Sequence, residues 1–409
     1  MRKPPSDSEE KPRVLFLAPE CPYPMRGGGP LRCASLLEYL ARRFAVHAIV
    51  FRQPGDPDPA LAIPPGRIEK LDALELPHHS KFPPARALRN FRRLILDVPP
   101  LLDRFAGFER RIAALVAGRQ YQYAVIEHFW CAPYVEQLRP RSRRMILDLH
   151  NVESAWHQSL AETESGARAW ALRRFAGAAA RLERDLLPKF DDVLVASHND
   201  AQLVCGLSPS AGPIVYPNAL PEFPAPIREE RREIAFSGNL EYAPNISAVR
   251  FFRDQVWPSL RSRPNLQWKI IGKNPDAVRA LLAGDPAVEV TGPVDDAVAA
   301  LASAQVAVVP LLAGSGTRIK ILEAWAAGTP VVSTTIGAQG LECRDQEHLL
   351  IADTPDRFSA AVTRLLDSYD DRRRLGAAGR RLYEERYTWQ NAWEVLDPLF
   401  GTVSKTGRS

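Results

Sequence analysis

Short apolar runs punctuate the first half of the chain at residues 13–18 (RVLFLA), 46–51, 124–126, 145–147 and 193–196. Each is too short for a helix and rich in strand-forming residues. Between them, apolar positions return at helical spacing. Residues 31–43 carry Leu36, Leu37 and Leu40, with Phe44 just beyond, and 167–187 reads as a long helix. Strands that alternate with helices predict a parallel sheet covered on both faces. Prolines then interrupt the pattern in YPNALPEFPAPIREERRE, which predicts a domain boundary at about 217–232. A second alternating unit follows, with runs at 234–236, 268–271, 288–290, 306–309, 331–332 and 349–351 and a helical end at 357–400. The expected units are a disordered lead-in at 1–11, an α/β domain at 12–217, a second at 218–385, and a terminal helix and tail at 386–409. Two such halves on one linker enclose a cleft, and ligands of open α/β sheets sit beyond the carboxyl ends of the strands.

The segments just after the strands are therefore the ones to read for chemistry. The most informative is 309–333, VPLLAGSGTRIKILEAWAAGTPVVS. A strand runs into the small-residue loop Ala313-Gly314-Ser315-Gly316-Thr317, and the helix that follows carries Arg318, Lys320 and Glu323. Glycines allow close backbone approach, helix N-terminal N–H groups face anions, and two cations add charge. Glu323 lies where a carboxylate accepts hydrogen bonds from sugar hydroxyls. The plainer reading is an ordinary βαβ unit with a solvated helix start. Gly27-Gly28-Gly29 follows the first strand and suits either an acceptor- or phosphate-cradling loop or a flexible turn. It is not a G-x-G-x-x-G fingerprint, which weakens a dehydrogenase reading. His128 and His150 both sit at strand ends facing the expected cleft, where an imidazole can accept or orient a proton, although a lone His is more often structural. In the second half the strand ends lead into Ser237-Gly238-Asn239, Gly272-Lys273-Asn274 and Thr291-Gly292-Pro293, the last a slot for a planar base.

Composition narrows the class. Of 409 residues, 45% are hydrophobic and 25% charged, as in a soluble globular protein. No apolar run reaches the ~18 residues of a membrane span. The polar N-terminus lacks a signal core, so a cytoplasmic protein is expected. Cys21, Cys33, Cys131, Cys205 and Cys343 form neither a metal-spaced cluster nor a disulfide framework. Charge is uneven: residues 1–217 hold 30 Lys+Arg against 24 Asp+Glu, and the remainder 23 against 24. The excess concentrates at 81–144 and points to an anionic partner or a solvated arginine-rich surface. Within 81–97, Leu88, Phe91 and Ile95 form a helical stripe beside Arg86, Arg89 and Arg93. That pattern fits a helix lying on anionic lipid at the inner face of the cell membrane, or equally one packed on its own sheet.

Taken together, GSGTRIKILEAWAAGTPVVS, SGNLEYAPN, IIGKNP, VTGPVDD, IVYPNALPEF, DDVLVASHND, the glycine loop and the His128 strand end resemble the GT-B glycosyltransferases of family 4, over nearly the whole chain from Val14 to about Phe400. The resemblance implies two Rossmann-like parallel-sheet domains facing across a cleft. It implies a hexosyltransferase-type enzyme using a nucleotide diphospho-sugar as donor substrate with retention of configuration, and needing no bound metal and no cofactor. Glu323 would hold the ribose, and Gly316, Thr317, Arg318 and Lys320 the diphosphate. Gly238, Asn239, Gly272 and Pro293 would line the rest of the donor site. His128 would act near the transferred sugar, with Arg318 and Lys320 stabilising the leaving group. Gly28, Gly29 and His150 would face a saccharide or lipid-linked acceptor of cell-surface polysaccharide or glycolipid synthesis, and no nucleic acid is expected. The helices around Trp389 and Trp393 would cross back onto the first domain. The chain departs from the pattern at Ser315, where many members carry a glutamate, and in the loop 238–245, which lacks the usual Arg and Lys. The alternatives are a nucleotide-sugar 2-epimerase of the same fold and a non-catalytic nucleotide-sugar-binding or membrane-interaction protein.

Overall fold

The computed structural model describes residues 11–80, 82–313 and 318–401, so residues 1–10 and 402–409 of the expected lead-in and tail lie outside it. Two sheets organise the chain. The first contains β1 (Arg13–Ala18), β2 (Ala45–Arg52), β3 (Lys70–Glu75), β4 (Tyr121–Glu127), β5 (Ser142–Leu149), β6 (Asp192–Val195) and β7 (Ile214–Val215) in the order β3-β2-β1-β4-β5-β6-β7. The second contains β8 (Arg231–Ser237), β9 (Gln267–Ile271), β10 (Val288–Gly292), β11 (Ala304–Val309), β12 (Val331–Ser333) and β13 (Leu350–Ile351) in the order β10-β9-β8-β11-β12-β13. Neighbouring strands pair in parallel throughout, for example Val14 with Val46 and with Tyr123. Helices cover both faces, and Val14 to Ala18 are wholly buried, which is why these strands are apolar without alternation. This is the α/β architecture expected from the alternating pattern.

Helices used below are α1 (Gly28–Arg43), α2 (Pro83–Leu96), α3 (Pro100–Phe105), α4 (Gly166–Leu186), α5 (Ile319–Ala326), α6 (Tyr369–Arg386), α7 (Trp389–Trp393) and α8 (Asp397–Phe400). The order reverses in both sheets: β1 lies between β2 and β4, and β8 between β9 and β11. Such switch points leave a crevice at the strand ends, because successive connections run to opposite faces.

Two crossings tie the halves together. The linker passes from the first sheet to the second, and the chain returns after α6. They meet at Leu220, whose N–H donates to the Tyr387 carbonyl at 2.9 Å and whose carbonyl accepts from Trp389 at 2.8 Å. The returning helices then dock on the first half. Phe400 packs its ring 4.9 Å from Tyr123 and 5.6 Å from Tyr39, and the Trp393 indole donates to the Ser35 carbonyl at 3.1 Å. Buried Arg32 anchors the linker: it grips Asp148 with two bonds of 2.8 and 2.6 Å and donates to the Tyr216 carbonyl and Asn218 Oδ1 at 2.7 and 2.8 Å. Replacing Phe400 with Ala should cost about 3–5 kcal/mol in urea unfolding of the first half, because the ring leaves a cavity among aromatic neighbours. Trp170→Ala, on the exposed face of α4, should change it by no more than ~0.5 kcal/mol. Equal effects would deny the returning helices their structural role.

Candidate functional site

The two switch points face each other across a cavity of about 590 Å³. On the first sheet, the loop after β1 leads directly into α1, so Gly28 and Gly29 form the first turn of a helix that opens on the cavity. A Cβ at Gly29 would lie 2.9 Å from Glu20 Oε1 and 3.6 Å from His128 Nε2, so a side chain there would displace the Glu20 carboxylate. After β4, His128 adopts a left-handed φ of 63°. Its N–H donates to the Asp148 carbonyl at 2.9 Å. Its ring stacks on Trp130 at 4.2 Å and lies 3.5 Å from the His150 ring. Burial, with Arg32 nearby, pushes His128 down to about 3, so the imidazole is neutral. Its buried Nε2 has no hydrogen-bond partner among the described residues. The ring therefore presents a neutral polar atom beside the glycine turn.

Behind His128 lies a buried group that the sequence spacing conceals. His150 Nε2 is 2.7 Å from Glu127 Oε2, and the Cys33 thiol donates to the same oxygen at 3.3 Å. These residues place three ligand-type atoms within 4.8 Å of one another, a grouping that their spacing in the sequence does not show. Burial and the neighbouring Asp148 push Glu127 well above the usual carboxylate range, and burial pushes His150 well below the usual imidazole range. His150 lines the cavity, but its Nε2 is turned toward Glu127, so it backs the His128 ring.

On the second sheet, α5 carries the charge. Lys320 Nζ donates to Asn245 Oδ1 at 2.6 Å and lies 4.5 Å over the Phe236 ring. Glu323 accepts from Ser237 Oγ at 3.2 Å. Burial, reinforced by Arg318, pushes Lys320 down to about 7, and burial pushes Glu323 up to about 7. Arg318 caps the helix at 8% exposure, and burial lowers it. A Cβ at Gly238 would lie 3.1 Å from Lys320 Nζ, which shows that the lysine reaches the loop that lacks its own cations. Gly272 packs so closely on Gly238 that a Cβ would fall 1.7 Å from its carbonyl oxygen. Asn239 accepts at Oδ1 from Asn274 at 2.9 Å. Gly238, Asn239 and Glu323 also border a second cavity of about 440 Å³, where Gly272, Pro293, Val294 and Ile271 form a mainly apolar slot. Gly316, Thr317 and the divergent Ser315 lie outside the described residues.

Every described site residue expected from the sequence thus borders one of two contiguous cavities. The structure adds others. Glu20 lies just after β1, and burial raises its carboxyl while Lys273 across the cleft opposes that shift. The strand-end rule marks Glu20 as readily as it marks the glycines. Arg26 pairs with Asp295 at 2.8 Å, and the Trp156 indole donates to the Tyr242 hydroxyl at 2.9 Å, both joining the two halves. No sequence signal links these pairs.

Residues 231–368 match the family model described as glycosyl transferases group 1. The second half of the chain thus carries a group 1 glycosyl transferase domain, and the chain as a whole has the GT-B fold. It is 18% identical to sucrose-phosphate synthase from Thermosynechococcus elongatus, with a TM-score of 0.71 over 95% of this chain and 98% of that one. An uncharacterized 44.6 kDa protein in the cps region of Klebsiella pneumoniae is 21% identical over 86% of this chain and 90% of its own length. A phosphatidyl-myo-inositol mannosyltransferase of Mycolicibacterium smegmatis is 33% identical over 37% of this chain and 40% of its own length.

The two near-neutral groups on α5 give the site a pH signature. Lys320 loses its charge as pH rises through about 7, and Glu323 loses its charge as pH falls through about 7. Affinity for a nucleoside diphosphate should therefore peak near neutrality and fall on both sides. In calorimetric titrations, Lys320→Met should remove the alkaline limb and Glu323→Gln the acid limb. A profile identical in both variants and the parent would rule out these roles.

Proposed function

We propose that the enzyme transfers a glycosyl group with retention of configuration to a saccharide or lipid-linked acceptor in cell-surface polysaccharide or glycolipid synthesis. The single observation that supports the site assignment is the convergence of Lys320, Glu323 and His128 on one cavity, across two facing switch points. In this reading Glu323 accepts hydrogen bonds from the ribose hydroxyls, and the apolar slot at Pro293 receives the base. Lys320 and Arg318, with Gly316 and Thr317, meet the diphosphate. As the bond from the anomeric carbon to the diphosphate oxygen breaks, negative charge builds on that oxygen, and buried cations stabilise it strongly. They supply there the positive charge that a metal would otherwise bring, so the reading includes no metal and no cofactor. His128 offers its neutral Nε2 to a hydroxyl of the transferred sugar, and Gly28 and Gly29 leave room for the acceptor.

Of the carboxylates that the sequence offered to an epimerase, Glu127 and Asp148 are wholly buried and held by His150 and Arg32, so neither is open to the cleft. Replacing Lys320 with Ala should lower turnover by roughly 10²–10³-fold. The direct assay is release of nucleoside diphosphate, which should require an acceptor, with the anomeric configuration of the product read by NMR. Unchanged turnover in the Lys320 variant, release without acceptor, or an inverted product would each refute the corresponding part of the proposal.

The proposal extends to place, at the inner face of the cell membrane. None of the described helices is long and apolar enough to cross a membrane. On α2, however, Leu88, Phe91 and Ile95 are 70%, 61% and 65% exposed, so the stripe does not pack on the sheet. An apolar stripe facing solvent beside exposed Arg86 and Arg92 suits a helix lying in an anionic lipid surface. Lys81, at the start of this segment, lies outside the described residues. Flotation with phosphatidylcholine–phosphatidylglycerol vesicles should capture the protein at low salt, and Leu88→Ser with Phe91→Ser and Ile95→Ser should release it. Recovery of the parent protein in the soluble fraction at low salt would end this part of the reading.

A further inference from the structure

A second polar cavity, of about 460 Å³, opens at the same edge of the first sheet. Its walls are Gln53 and Pro54 after β2, His78, His79 and Ser80 after β3, and Arg104 of α3. Two further guanidinium groups approach from α2. Arg89 donates to the Ser80 carbonyl at 2.7 Å and Arg93 to Asp103 at 2.7 Å, while Arg104 donates to the Pro77 carbonyl at 2.7 Å. Two of the three cations thus use a donor on a neutral carbonyl, and a guanidinium has five. Asp103 is already paired with Arg93, and Glu75 at the end of β3 pairs with Arg52. The electrostatics agree: burial and then Arg93 and Arg89 lower Arg104, and burial followed by the three arginines lowers His79. Positive charge is concentrated here in excess of what the fold neutralises.

Position connects this cavity to the reaction. β3 lies two strands from β1, so their ends are roughly 10 Å apart. Helix α3 spans the interval: Leu101 borders the cleft cavity, and Arg104, one turn later, borders the cationic one. Phe105 of the same helix stacks on Trp130 at 5.8 Å, and Trp130 stacks on His128. A group held by Arg104 therefore has a fixed relation to the sugar-transfer centre, on the half assigned to the acceptor.

We propose that this cavity binds a phosphate group of the acceptor, held by Arg104 and Arg89 with His79 and Ser80 beside them. The inference rests on the acceptor assignment above. The phosphate could belong to a lipid headgroup or to a soluble phosphorylated saccharide, since the chemistry that recognises it is the same.

Hydrogen exchange on the full chain without donor tests this separately from transfer, and its site resolution separates this cavity from the diphosphate site on α5. The probes are inorganic phosphate, with sodium chloride of equal ionic strength as the control, and phosphatidylcholine vesicles with and without phosphatidic acid. Exchange should slow at 74–80 and 100–105 with free phosphate, or with phosphatidic acid vesicles alone if only a lipid headgroup reaches the site. Arg89→Ala with Arg104→Ala should raise the half-saturating probe concentration about tenfold or more. Arg104→Gln should do so in part if the double variant does not fold, and Arg110→Ala on an exposed helix should not. No slowing with either probe, equal slowing with chloride, or undiminished binding by the Arg104 variants would overturn the proposal. The transferase reading would survive that result, because no donor is used.

Discussion

Strands covered by helices on both faces leave polar chemistry one accessible place, the edge where the strands end. Everything at the candidate site follows from having two such edges and holding them face to face. The hold is local. Arg32 ties the linker to Asp148, Leu220 bridges the outgoing and returning crossings, and Trp393 and Phe400 dock the end of the chain on the first half. Remove that docking and the first sheet loses part of its own core, to which Trp389, Trp393 and Phe400 belong, and the two switch points lose the tie that keeps them facing.

Holding the edges together also buries charge. Lys320 and Glu323 lie one turn apart on α5 and are both displaced toward neutrality by desolvation, one downward and one upward. Isolated charges in such a place are costly. Asn245, the Phe236 ring and Ser237 offset part of that cost without neutralising the lysine. In the proposed function an incoming diphosphate would complete what the fold leaves incomplete, which is the physical basis of preorganised leaving-group stabilisation. On the facing edge the logic is opposite: burial keeps His128 neutral, so it suits hydrogen bonding to a sugar hydroxyl better than pairing with an anion.

The parts of this arrangement that were legible in the sequence are those encoded locally. Buried parallel strands write themselves as apolar runs, and the strand-end rule located His128, Gly238, Gly272, Lys320 and Glu323. Strand β3 escaped because KLDALE sits at the sheet edge with only Leu74 buried, so it has no apolar run. β7 is two residues long. The helical end proved to be several helices, and the break at Tyr387 and Thr388 falls where the chain passes Leu220. The Cys33, Glu127 and His150 cluster, the Trp156–Tyr242 bond and the cationic cavity at Arg104 join residues far apart in the chain, and no periodicity encodes such meetings. The stripe on α2 was visible as a pattern, but whether it faced sheet or solvent is a tertiary fact.

The central claim is that the second sheet's strand edge holds the donor, with base, ribose and diphosphate in fixed order along it, facing His128 on the first. A crystal structure of the protein with a bound nucleoside diphosphate measures this most directly. The account predicts the base in the slot at Pro293, the ribose hydroxyls on Glu323 and the diphosphate against Lys320 and Arg318, with its terminal phosphate toward His128. A nucleotide seated away from α5, or one reversed so that its base lies beside His128, would contradict it.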